Sequence, residues 1–156
     1  MGYDYDIRLE HRFTKMIKAI LGNYFIEQDA QHDRQEGTDF EIFTVTPFKI
    51  GVRLRRHRYF LRYPREFTLR WSRPSGVKTE IDKVREGLVD YILYGFINEK
   101  ETKIIQYFIG DLGIFREHEP KPLAIYANTP PDSRLAVFAI EQLPPEFVGK
   151  FWPTYL

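Results

Sequence analysis

With 156 residues, 43% of them hydrophobic and 29% charged, the chain falls in the range of an ordinary globular domain and outside that of disordered proteins. The absence of cysteine excludes disulfides and thiolate metal ligands and suits a reducing, cytoplasmic (intracellular) setting. The net charge is only +1, no apolar run approaches the roughly 20 residues that span a bilayer, and the acidic stretch Met1–Asp6 is unlike a signal peptide, so no membrane partner is expected.

In chain order, Asp4 or Asp6 caps a first helix that runs to about Asn23, with Leu9, Phe13, Met16, Ile17, Ile20 and Leu21 at helical spacing. Tyr24–Gln28 reads as a short strand and Asp29–Gly37 as a polar loop. Thr38–Val45 is a β-rich run ended by Thr46-Pro47, and Ile50–Arg56 alternates apolar with basic residues; the two are expected to form a hairpin. Glu66–Trp71 is a further strand, Pro74-Ser75-Gly76 a turn, and Lys78–Leu88 a helix capped by Thr79 with Ile81, Val84 and Leu88 buried. Val89–Phe96 and Lys103–Ile109 read as strands about a charged turn, and Asp111 as the cap of a helical turn. Leu123–Ala127 and Arg134–Ile140 are strands, and the proline-broken tail from Leu143 is expected to pack as an irregular flap. The mixed order predicts an α/β (α+β) fold, a central mixed sheet flanked by helices in one domain, with a core over about 1–110 and a proline-rich extension over about 120–156.

The charge is segregated. Between Lys49 and Lys78 lie ten basic residues, Lys49, Arg53, Arg55, Arg56, Arg58, Arg62, Arg65, Arg70, Arg73 and Lys78, against one acid, Glu66. Such a block makes a positive field whatever the total charge, and a polyanion such as nucleic acid is its natural partner. From Arg53 onward these residues are the candidate nucleic-acid contacts, and the interleaved Tyr59, Phe60, Tyr63, Phe67 and Trp71 are either stacking platforms for unpaired bases or the core side of strands.

Alternation places Asp39 and Glu41 on one face of their strand, and Arg53 and Arg55 on one face of the next. Glu10 sits beside the apolar stripe of the first helix. A helix acid, an aspartate opening one strand and a charged pair two apart on the next resembles the PD-(D/E)XK nuclease superfamily, over the stretch from the first helix to Phe96. The resemblance implies a restriction-endonuclease-like core. It implies Glu10, Asp39, Arg53 and Arg55 as catalytic positions, with Mg²⁺ or Mn²⁺ on Glu10, Asp39 and Glu41, DNA as substrate, and a homodimer if both strands of a duplex are cut. Arg53 stands where the family has a metal-binding carboxylate and Arg55 where it has lysine. Arginine neither ligates Mg²⁺ nor accepts a proton at neutral pH, so Glu41 or Glu80 would have to supply the missing ligand.

Simpler readings cover the same residues. Glu10 is a solvated helix acid, Asp39 opens a strand, and Arg53 and Arg55 pair across strands with Asp39 and Glu41. Glu80, Lys83 and Glu86 form ordinary helical ion pairs, and Asp90 is a candidate buried partner for an arginine. The histidines lack metal-ligand spacing, and there is neither a phosphate-binding glycine loop nor a serine-nucleophile motif. The expected function is therefore a divergent metal-dependent nuclease. The alternatives are a non-catalytic DNA- or RNA-binding module on the same fold and a protein-interaction domain with a basic face.

Overall fold

The computed structural model describes residues 9–24, 48–128 and 132–153. Asp39 and Glu41 lie outside the described residues, as do the expected loop over Asp29–Gly37 and the expected strand over Thr38–Val45. The fold is α+β. A first helical stretch, α1, covers 9–24 with a turn at Phe13, where Phe13 N–H bonds to Glu10 O at 3.0 Å, and includes Tyr24, which the sequence assigns to a strand. It is followed by β1 (Ile50–Arg55), α2 (His57–Arg62), β2 (Glu66–Ser72), α3 (Glu80–Arg85), β3 (Tyr91–Ile97) and β4 (Ile104–Asp111). Then come α4 (Leu112–His118), β5 (Ala124–Ala127), β6 (Arg134–Ala139), two 3-10 turns and β7 (Val148–Trp152). Among the described residues no helix is long and apolar enough to cross a membrane.

The strands form two sheets, one ordered β1-β3-β4-β7 and the other β2-β6-β5. In the first, β1 runs parallel to β3 and the remaining pairs are antiparallel. β3 reads Tyr-Ile-Leu-Tyr-Gly-Phe-Ile, apolar at nearly every position because both of its faces are covered. Leu93 and Ile97, with Tyr107 and Ile109 of β4, pack under Leu9, Phe13 and Ile17 of α1. Ile92, Tyr94, Phe96 and Phe108 turn the other way and meet the second sheet. One face of the first sheet is thus covered by a helix and the other chiefly by a sheet, where flanking helices are the expectation from the sequence.

Between the sheets lies an aromatic core centred on Phe67 of β2, which is fully buried. Its ring stacks at 5.6 Å on both Phe138 and Phe147 and meets Tyr94, Phe108 and Phe115 edge-on. α3 and α4 add Ile81, Val84, Leu112 and Phe115 to this core. Phe147 reaches it because position 110 is glycine: a Cβ there would stand 2.7 Å from the Phe147 ring.

Local signals explain the helix ends. The backbone N–H and hydroxyl of Thr79 both donate to the Asp82 carboxylate, at 2.9 and 3.0 Å, which fixes the start of α3. α3 stops at a Schellman-type end, with Leu88 N–H bonded to Lys83 O and Gly87 N–H to Val84 O. Gly87 takes the left-handed φ of 71° that this turn requires. The helix is therefore shorter than Lys78–Leu88, and Leu88 is exposed at 42%. Asp111 caps α4 as the sequence indicates, accepting from Gly113 N–H at 2.8 Å and Ile114 N–H at 3.3 Å. The tail departs from the expected flap: past its prolines, β7 joins the first sheet beside β4, pairing Phe151 with Phe108.

Candidate nucleic-acid interface

The alternation of β1 is as expected, but its basic face is not a solvent face. Register with β3 aligns Arg53 with Tyr94 and Arg55 with Phe96, residues that point toward the second sheet. Arg53 is therefore drawn between the layers, with its side chain only 13% exposed. A charge placed there needs a partner, and α3 supplies Glu80, whose Oε1 accepts from Arg53 Nη2. The other oxygen of Glu80 accepts the backbone N–H of Arg70 at 2.8 Å. Burial pushes the Glu80 carboxyl up, but the Arg53 charge, the Arg70 amide and the Arg53 hydrogen bond outweigh it and hold the group below the usual carboxylate range. Burial likewise works against the charge of Arg53, and Glu80, followed by Tyr94 and by Glu10 on α1, together more than restore it. Arg70 is itself buried, and burial together with the like charge of Arg53 lowers its pKa. The Glu80–Lys83 ion pair expected from helical spacing is replaced by this contact across elements.

The rest of the basic block divides by its partners. Arg56 pairs with Glu101 at 2.9 Å, Lys78 with Glu86 at 2.6 Å, and Arg65 with Glu141. Asp90 is exposed and accepts the Lys49 backbone N–H at 2.8 Å, so it is not a buried partner of an arginine. Phe60 and Phe67 belong to the core side, and Trp71 lies under Arg85. Arg73 is half-buried beyond the end of β2.

Arg55, Arg58 and Arg62 differ. No carboxylate among the described residues pairs with any of them. They gather on and beside α2, a six-residue helix with no fully buried residue, which the sequence reading passed over. The ring of Tyr59 collects two of them, with Arg55 Cζ 4.0 Å and Arg58 Cζ 4.9 Å from its centroid. Such contacts hold guanidinium groups in place without neutralising them. Phe60, stacked on His57 and tilted against Phe96 at 5.8 Å, anchors the helix to β3. At the far end of α2, Leu61 is 68% and Tyr63 46% exposed. The result is a small surface with three cations that have no carboxylate partner among the described residues and two exposed apolar side chains.

Of the expected metal ligands Glu10, Asp39 and Glu41, only Glu10 lies among the described residues. Glu10 is half-buried on α1, Asp39 and Glu41 lie outside the described residues, and Glu80 is bound to Arg53. Arg53, the strand position at which the resemblance would put a carboxylate, holds a guanidinium in an ion pair, which offers Mg²⁺ no lone pair. No group of three or more His, Asp or Glu side chains capable of holding a metal ion forms among the described residues.

The chain matches no protein-family model, no curated protein and no solved structure, so its site is read from its own residues.

Proposed function

We propose that the chain is a nucleic-acid-binding domain whose contact face is α2 with the end of β1. The observation that carries this reading is the cluster of Arg55, Arg58 and Arg62, three arginines without carboxylate partners among the described residues. Their guanidinium groups take the phosphates, and binding releases the counterions that phosphates condense. Exposed Leu61 and Tyr63 give the sugar and base faces apolar contact. Binding without cleavage is the form of this reading that the described residues support best. One observation favours the nuclease reading beside it: the charge of Glu10, the helix acid named by the resemblance, helps to hold Arg53 charged.

The test uses labelled single-stranded, duplex and branched DNA with Mg²⁺ or EDTA, analysed on native and denaturing gels. Retardation without cleavage is expected. Replacing Arg55, Arg58 and Arg62 by glutamine should weaken binding and flatten its salt dependence by up to about 0.7–0.9 in log–log slope per lost phosphate contact. Cleavage abolished by EDTA would restore the catalytic reading. Absence of both retardation and cleavage would reject nucleic acid as the partner.

A further inference from the structure

A second concave surface lies away from α2. Between α3, α4 and the segment Glu119–Pro122 is an open cleft of about 300 Å³, at the small end of the range for ligand pockets. Of the rings that line it, Trp71 of β2 is half-buried, while Phe115 of α4 and Phe138 of β6 lie beneath it in the core. Its rim is charged, with Arg85, Arg116 and Lys121 against one carboxylate, Glu119. We propose that this cleft binds a small anion joined to a flat ring, of mononucleotide size, with the ring against Trp71 and the anion on Arg85 and Lys121.

The rim is fixed in place before any ligand arrives. Glu119 ends α4 in the left-handed region at φ 45°, although it is not glycine. That conformation is uncommon and unfavourable for such a residue, and it turns the chain back across the mouth of the cleft. Pro120 and Pro122 then restrict the backbone on either side of Lys121. Three hydrogen bonds pin the segment: Glu119 N–H to Phe115 O at 3.0 Å, Lys121 O from Gln142 Nε2 at 2.8 Å, and Leu123 N–H to Val137 O at 2.8 Å. Arg116 is tied to the end of α3 by its bond to Val84 O at 3.2 Å. Arg85 stands 4.8 Å from the centroid of Trp71 while remaining exposed, so its charge is held at the mouth; it makes no close ion pair among the described residues, and the acid that feels its charge is Asp82, three residues back on α3. A pre-organised rim loses little entropy on binding. Three cations beside the Trp71 ring select a ligand that is both anionic and flat.

The experiment titrates the full chain, carrying Trp152→Phe so that Trp71 alone reports, with adenosine monophosphate, adenosine and inorganic phosphate, following tryptophan fluorescence. Saturable quenching by the nucleotide is expected, with adenosine and phosphate each about tenfold weaker or more. Arg85→Gln and Lys121→Gln should each weaken the nucleotide by roughly threefold to fivefold, and Lys100→Gln, exposed in the turn between β3 and β4, should leave it unchanged. Both rim side chains are exposed, so these variants keep the fold. The proposal is overturned if the nucleotide produces no saturable change, if phosphate alone binds as well as the nucleotide, or if the two rim variants bind like the parent.

Discussion

Replacing Glu80 with alanine removes the partner of a charge held between the two sheets. Breaking a fully buried ion pair costs about 3–5 kcal/mol, because the remaining charge is left uncompensated. Glu80 keeps 37% of its side-chain surface, so water reaches one side of the pair and screens it. The Arg70 amide loses its acceptor in the same substitution. Together these place the loss for Glu80→Ala at about 2–3 kcal/mol. If the loss comes from the stranded charge, Arg53→Met with Glu80→Leu should recover most of it, because two apolar side chains of similar volume need no partner. Urea unfolding at neutral pH, followed by circular dichroism, measures both variants. The reasoning fails if Glu80→Ala loses less than about 1 kcal/mol, or if the double variant is as unstable as the single one.

The pKa directions also set an acid limit. Glu80, Asp82 and Glu141 titrate below their ordinary values in the folded chain, Glu80 and Glu141 against the opposing effect of burial and Asp82 chiefly through the Thr79 amide. The stability they contribute is complete above the unfolded carboxylate values of about 4 and is lost as pH falls through the folded ones. The urea midpoint should therefore drop steeply on acidification below about pH 4, and a midpoint that holds to pH 2 would contradict the assignment. Phe67→Ala should cost about 3–5 kcal/mol, since the ring is fully buried and five others touch it. Gly110→Ala should cost about 1–3 kcal/mol by forcing Phe147 aside; a melting temperature equal to the parent's would show that the ring yields freely.

What the sequence revealed depended on how local the cause was. The Asp111 cap and the turn after Arg73 are settled by neighbouring residues, and both were legible. The alternation of Ile50–Arg55 was legible too, but not what its basic face meets. The neighbour that encloses Arg53 is Glu80 on a helix that follows another strand, and helical spacing alone suggested Lys83 as the partner of Glu80. α2 carries neither a side-chain cap nor a fully buried stripe, so neither usual signal marks it. Prolines at 144, 145 and 153 made the tail read as irregular, while the strand between them draws its order from β4. The basic block was plain in composition, yet which of its arginines find a carboxylate among the described residues depends on acids at 80, 101 and 141, all beyond the block itself.

The chain passes from β1 to its parallel neighbour β3 by way of a strand of the other sheet. β2 lies within that crossover and finds its partner, β6, only near the end of the described chain, with Glu66 opposite Ala139. Neither sheet can then close before most of the polypeptide has emerged from the ribosome. A ribosome-bound chain ending before residue 134 would hold Phe67 and Leu69 without the strand that shields them. Such an intermediate leaves apolar surface uncovered until β6 is added.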